Sequence, residues 1–337
     1  MTIFLAIIFL ALILLVHELG HFLLAKICKV PVEEFGFGFP PRIWAKKIGG
    51  TEYSFNWLPL GGFNKINEES FSRQSAGRRM LILAGGIFTN ILLGCFFFSL
   101  VFMLGSRSLV LVSDLAPNSP AALAGIQKND EIVSVGSRKE TLTAPFLGQA
   151  FIEFVNRYKG ETLTSKMNRA GKTINFQVAS RENPPTGEGP LGVAIVDAGV
   201  PARPFGQSLV EAVKTTGQVI GLSFLSIYRL ATRAFVEPAV LNALTGPVGV
   251  VALAGQVGKI GFAYFLQIMA FISLGFAVFN ALPLPALDGG HLLFILIEKI
   301  KGSPISVRIR NSINAFGLGI LLLLMVFVTI KDIKGLL

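Results

Sequence analysis

The sequence predicts a mainly helical, multi-pass membrane protein with one soluble domain inserted between its second and third membrane spans. Three observations carry this. Of 337 residues, 52% are hydrophobic and only 15% are charged, whereas a soluble domain carries about 25% charged residues. Four stretches are apolar for long enough to cross about 30 Å of hydrocarbon as helices: 3–25, 80–104, 262–282 and 314–330. Between the second and third, residues 106–200 have ordinary polarity, alternating short apolar runs and turn signals.

The first stretch, 3–25, reads as a retained span and not as a cleavable signal. It has no basic leader and no small-residue cleavage site. Residues 30–66 follow, rich in Gly, Pro and aromatic residues, with strand-like pieces such as Thr51–Trp57. They are too polar to span and too apolar for an ordinary loop. Non-helical backbone at membrane depth survives only where protein or a wet cavity covers it, so a re-entrant β-hairpin is expected here. With the second span these form a first half of the membrane core, 1–105.

Charge placement orients the chain. The net charge of +10 is concentrated beside apolar spans: Lys26, Lys29, Arg42, Lys46, Lys47, Lys65, Arg73, Arg78 and Arg79 between the first two, and Lys299, Lys301, Arg308 and Arg310 between the last two. Basic loops of this kind lie on the cytoplasmic side, which excludes nucleic acid as the partner and places 106–200 outside. Residues 201–260 are then constrained by parity. One extra span there would turn the basic loop 299–310 outward, so 206–258 is read as amphipathic helices at the interface or packed on the bundle; a re-entrant pair preserves parity equally well. Residues 261–337 form the second half of the core. Cys28 and Cys95 lie in or beside membrane segments and imply no disulfide framework.

The chemistry lies inside the first span, in His17-Glu18-Leu19-Gly20-His21. H-E-x-x-H on a helix sets two imidazoles one turn apart on one face, where both reach a single zinc ion, with the glutamate able to act as base on water. Ionisable residues at membrane depth are costly and mark functional sites. A third protein ligand is needed, and the chain has three histidines in all. The stretch Phe279–His291, broken by Pro283 and Pro285, offers Asp288, the one acidic residue between Glu237 and Glu298, followed by two glycines. Asp288 is the natural third ligand; His291, three residues on, is the alternative. An ion transporter built on the same residues would show inverted repeats, and the sequence has none. A non-catalytic scaffold would not need Glu18 or Asp288 in the membrane.

The pair formed by His17–His21 and Asn280-Ala-Leu-Pro-Leu-Pro-Ala-Leu-Asp-Gly289, N-x-x-P-x-P-x-L-D-G, resembles the defining motifs of the site-2 protease family, bacterial RseP/RasP type. Gly86-Ile-Phe-Thr-Asn90 is similar to that family's G-x-x-x-N motif, and Leu244–Gly249 also fits. The stretch 109–135, with Ser119-Pro-Ala-Ala-Leu-Ala-Gly125, resembles the start of a bacterial PDZ domain, completed by a helix at 145–158 and strands near 161–169, 172–179 and 191–196. The resemblance implies one Zn²⁺ per chain held by His17, His21 and Asp288, with Glu18 as general base. It implies Asn280 as a substrate or oxyanion contact; Asn90 is either a substrate contact or a helix–helix hydrogen bond. It also implies the bacterial inner membrane, an active site towards the cytoplasm, an extracytoplasmic PDZ domain able to take a peptide or C-terminus, and single-span membrane proteins as substrates, such as trimmed anti-sigma factors or signal-peptide remnants. Two segments depart from the family pattern: Gly61-Gly-Phe-Asn-Lys65 in place of aromatic-Val-Lys, and Ala84-Gly-Gly86 in place of Ala-Gly-Pro.

Overall fold

The computed structural model describes residues 2–106, 108–169, 171–233, 245–258 and 261–336. The chain forms two compact units, one of Met1–Met103 with Pro204–Leu337 and one of Leu104–Arg203. Among the described residues four helices are long and apolar enough to cross a membrane: Phe4–Ile27, Ala76–Leu104, Phe262–Ala281 and Val307–Lys334.

In the first unit, α1 (Thr2–Ile27) leads through a short turn into β1 (Val32–Ile48) and β2 (Thr51–Ile66). These two strands form the expected hairpin around Gly49-Gly50, pairing Ile48 with Thr51 and continuing to Val32 with Ile66. The hairpin is also folded over on itself. Glu34, Phe35, Gly36 and Phe37 pair with Lys65–Gly62 on one side and with Glu52, Tyr53, Ser54 and Phe55 on the other. The bend falls at Gly38 (φ 75°) and Gly61 (φ 88°), left-handed conformations that glycine adopts without strain. Asn56 stitches the bend, its Nδ2 donating to Gly38 O at 3.2 Å. Thr51 Oγ1 donates to Val32 O at 2.8 Å and accepts from Lys26 Nζ at 2.6 Å, which ties the hairpin to the end of α1.

After a short helix α2 (Glu68–Ser72), α3 (Ala76–Leu104) begins four residues before the span expected from hydropathy, taking Arg78 and Arg79 into its first turns. It crosses α1 at glycines. A Cβ on Gly20 would lie 2.3 Å from Gly85 O, and one on Gly85 would lie 2.6 Å from Gly20 O. Only small residues let two membrane helices approach this closely. Thr89 Oγ1 then donates across the crossing to Val16 O at 3.0 Å.

The second unit is an α+β domain: β3 (Leu109–Leu115), α4 (Pro120–Leu123), β4 (Glu131–Gly136), β5 (Thr141–Thr143), α5 (Gly148–Arg157), β6 (Thr162–Arg169), β7 (Lys172–Ala179) and β8 (Val193–Ala198). Its sheet runs β7-β6-β4-β3-β8, with β5 paired to β4. Alternate strand residues (Val110, Val112, Ile132, Leu163, Met167) close a core with Phe151, Phe154 and Val155 of α5. Ser119 caps α4, accepting from Ala122 N at 3.2 Å, which is why the Ser-Pro-Ala run turns into a helix. Fully buried Asp130 is held by Arg169, with Nε and Nη2 each at 2.7 Å.

Returning to the first unit, α6 (Phe205–Arg233) is a single 29-residue helix that packs on α8 (Phe262–Ala281). Its buried residues, Ser208, Ala212 and Thr216, recur every four positions and form one stripe. α7 (Pro247–Val257) packs against α1, α8 and α10 (Val307–Leu336), with Asp332 Oδ2 accepting from Gly249 N at 2.8 Å. Residues 234–244, 259 and 260 lie outside the described residues, so the expectation for 201–260 falls partly there. α9 (Asp288–Lys301) follows α8 in the chain and packs against it. α10 is far longer than the 314–330 core read from hydropathy, because Val307–Asn311 continue the helix into polar sequence.

Candidate metal centre

Four helices, α1, α3, α8 and α9, build the site. On α1, His17 and His21 lie one turn apart and both are buried. α3 presses its backbone against them: a Cβ on Gly86 would lie 2.5 Å from His21 Nε2 and 2.6 Å from His17 Cε1. Asn90, one turn further, is fully buried, with its side-chain amide 3.4 Å from His17 Nδ1. His21 Nδ1 lies 2.9 Å from Ile82 O, so it carries a proton and donates. Ser273 Oγ of α8 donates to Asn90 O at 2.8 Å, and Phe276 of α8 stands edge-on to the His17 ring.

The acidic group arrives where α8 ends. Pro283 and Pro285 cannot continue the helix, Ala286 takes a left-handed φ of 70°, and Ala286 N is held by Asn314 Oδ1 at 3.2 Å. The chain then starts α9 with Asp288 in its first turn. Gly289 and Gly290 are required by contact: a Cβ on them would lie 2.2 Å from Leu282 O and 2.1 Å from Leu284 O.

The result is a triangle of donor atoms. His17 Nε2 stands 3.0 Å and His21 Nε2 3.4 Å from Asp288 Oδ2, and the two Nε2 atoms are 3.2 Å apart. Two imidazoles and a carboxylate bound to zinc at about 2.0–2.2 Å in a tetrahedron have donor atoms roughly 3.3 Å apart, so the triangle has the size of one tetrahedral face. Asp288 Oδ2 is shut from solvent without a well-directed hydrogen-bond donor, as a metal ligand is. Both Nδ1 atoms face the backbone or an amide, which leaves the Nε2 lone pairs free for the ion. The residues fit zinc.

A cavity of about 450 Å³ adjoins this triangle, lined by His17, Glu18, His21, Asn64, Asn280 and Asp288 among others. Glu18 is half-buried. Asn280 is 8% exposed, and its Nδ2 donates to Phe276 O at 3.1 Å, leaving its second N–H and its oxygen uncommitted by that bond. His291 lines the cavity, yet the clustered ligand atoms among the described residues are those of His17, His21 and Asp288. The sequence marked Asn64 only as part of Gly61-Gly-Phe-Asn-Lys65, the departure from the family pattern, and assigned it no role.

The family model for Peptidase family M50 matches residues 5–324. The chain belongs to this family. Similar proteins run the length of both sequences. A Clostridium perfringens protein with a provisional zinc-metalloprotease name is 33% identical over 95% of each chain. A Clostridium acetobutylicum protein named in the same way is 30% identical over 98% of this chain and 97% of its own. The regulator of sigma-E protease RseP of Escherichia coli K12 is 28% identical over 97% of each. As an M50 peptidase with four apolar helices, the chain is a zinc metalloprotease of the site-2 type, a multi-pass protein of the inner membrane that acts on membrane proteins.

Proposed function

We propose that this M50 peptidase hydrolyses peptide bonds within or next to the transmembrane segment of single-span membrane proteins, using one zinc ion held by His17, His21 and Asp288. The observation that supports this most strongly is the triangle of donor atoms formed by two histidines of an apolar, membrane-length helix and Asp288 at the start of α9. Zinc supplies Lewis acidity there, making water nucleophilic near neutral pH. Glu18 takes the proton of the attacking water and passes it to the leaving amine nitrogen as the C–N bond breaks. The free N–H of Asn280 donates to the carbonyl oxygen as it gains charge. Asn90 holds His17 through Nδ1. With Nε2 given to the metal, Nδ1 carries the proton, so the acceptor is the Asn90 oxygen, otherwise buried without a partner.

A helical substrate hides its carbonyls in i→i−4 bonds, so the bond to be cut must first be unwound. The strand 62–66 pairs with 32–37 on one side, and three of its residues, Gly62, Asn64 and Ile66, line the catalytic cavity. Strand addition at its other side would pair the freed substrate backbone.

The α+β unit is proposed to be a PDZ domain, spanning 106–200 and extracytoplasmic, with the active site towards the cytoplasm, as the basic loops at 65–79 and 299–310 indicate. A domain of this length is about 25–30 Å across, wide enough to screen substrates by the size of their outer part. Natural substrates would then be membrane proteins already trimmed outside, such as anti-sigma factors, or signal-peptide remnants. Cleavage of a purified single-span protein in detergent tests the function: it should stop with a zinc chelator and return with added zinc. Continued cleavage by fully metal-stripped protein would overturn it.

A further inference from the structure

Asn64 presents a buried amide with nothing to hold. Both its Nδ2 and its Oδ1 are shut from solvent, and neither has a hydrogen-bond partner. Polar groups that line the same two cavities already have partners through at least one of their atoms. Arg79 Nη2 is paired with Glu298 at 2.8 Å, Asn314 Oδ1 accepts from Ala286 N, and Asn280 donates to Phe276 O. An amide left unmet in this way destabilises a fold unless a ligand completes it.

Its position identifies the ligand. Asn64 lies on β2 between Gly62 and Ile66, and alternate residues of a strand share a face; all three line the cavity that contains His17, Glu18 and Asp288. The strand is pressed onto α1 just before the metal motif, since a Cβ on Gly62 would lie 2.9 Å from Leu15 Cδ1. Asn64 and Ile66 also line an adjoining cavity of about 940 Å³, which reaches past Arg79 and Glu298 to Asn311. Asn64 therefore lines both the catalytic cavity and its larger neighbour, with its amide tucked beneath their shared wall.

We propose that Asn64 determines specificity by pairing with an amide of the unwound substrate next to the cleaved bond, donating through Nδ2 and accepting through Oδ1. Two sources carry that chemistry: the side chain of an Asn or Gln, or a backbone peptide group freed by unwinding. The inference rests on the proteolytic function proposed above.

The test uses the full-length zinc-loaded protein in detergent and single-span substrates in which each residue flanking the cleaved bond is Leu or Asn in turn. Asn64→Val keeps the approximate shape and removes both polar atoms. If a side chain is the partner, the wild type prefers Asn over Leu at one position by about tenfold or more in kcat/KM, and Asn64→Val erases that preference. If a peptide group is the partner, the variant loses about tenfold on every substrate, and an ester in place of one backbone amide reproduces the loss in the wild type but not in the variant. Asn64→Gln, which restores the amide, should recover part of the loss in either case. Zinc content should be unchanged, and the melting temperature of the substrate-free variant should equal or exceed that of the wild type. Wild-type kcat/KM across the whole series, or a clear fall in melting temperature, would overturn the proposal. Failure of the wild type to cut any substrate would instead count against the protease function.

Discussion

A Cβ placed on Gly86 would lie 2.5 Å from Nε2 of His21. The glycine that opens the G-x-x-x-N motif thus sets the space in which the imidazoles stand, and Asn90 at its end reaches His17. Gly86→Ala should push α3 or the rings aside. A displacement of about 1 Å at a reacting centre costs on the order of a hundredfold in rate, so cleavage should fall by at least that much with reduced zinc content. Gly77→Ala and Gly275→Ala, whose added Cβ meets nothing within 4 Å, should leave both unchanged. Full activity in Gly86→Ala would show that the ring positions are not set by this contact.

Zinc analysis of purified variants separates the ligands from their neighbours. Asp288→Asn should lower zinc occupancy and activity sharply, whereas His291→Ala should leave zinc in place. Asn90→Leu should weaken zinc binding by about 10–100-fold, as loss of a partner to a ligating histidine does, read by competition with a chelator. Were Asn90 a substrate contact instead, KM would rise with zinc affinity unchanged. Loss of zinc in His291→Ala with retention in Asp288→Asn would reverse the assignment of the third ligand.

The proposed topology rests on the basic loops. In a background lacking Cys28 and Cys95, single cysteines at 130–180 should be labelled by an impermeant reagent from outside, and those at 70–78 and 301–308 only from inside. External labelling at 301–308 would mean that 201–260 contains a true span.

Much of this architecture was legible in residue order because hydropathy and metal chemistry are local. H-E-x-x-H fixes two donors by helix geometry, and the proline-broken run before Asp288 announces a chain that stops being helical where a ligand is needed. The folding-over of the β region was not legible. It depends on pairs distant in sequence, such as Phe35 with both Asn64 and Tyr53, and Gly38 and Gly61 mark bends without saying what meets across them. Hydropathy also underestimated α10, whose polar ends remain helical because helix hydrogen bonding continues past the apolar core.

The α+β unit, proposed to screen substrates, holds its own core and carries no proposed catalytic residue. Replacing 109–196 with a short flexible linker should leave cleavage of trimmed substrates intact and newly permit cleavage of untrimmed ones. If the replacement abolishes cleavage of trimmed substrates while the protein stays folded and zinc-loaded, the domain recruits substrates and does not screen them.

The proposed role of Glu18 is that of the base beside a zinc ion held inside the membrane by His17, His21 and Asp288. It is tested most directly by measuring zinc content and single-span substrate cleavage together in Glu18→Gln. The amide cannot accept the proton of water but occupies the same space, so one zinc per chain should remain while cleavage falls by roughly 10²–10⁴-fold, the contribution of general-base catalysis. Cleavage at the wild-type rate by a variant with its zinc in place would contradict the account.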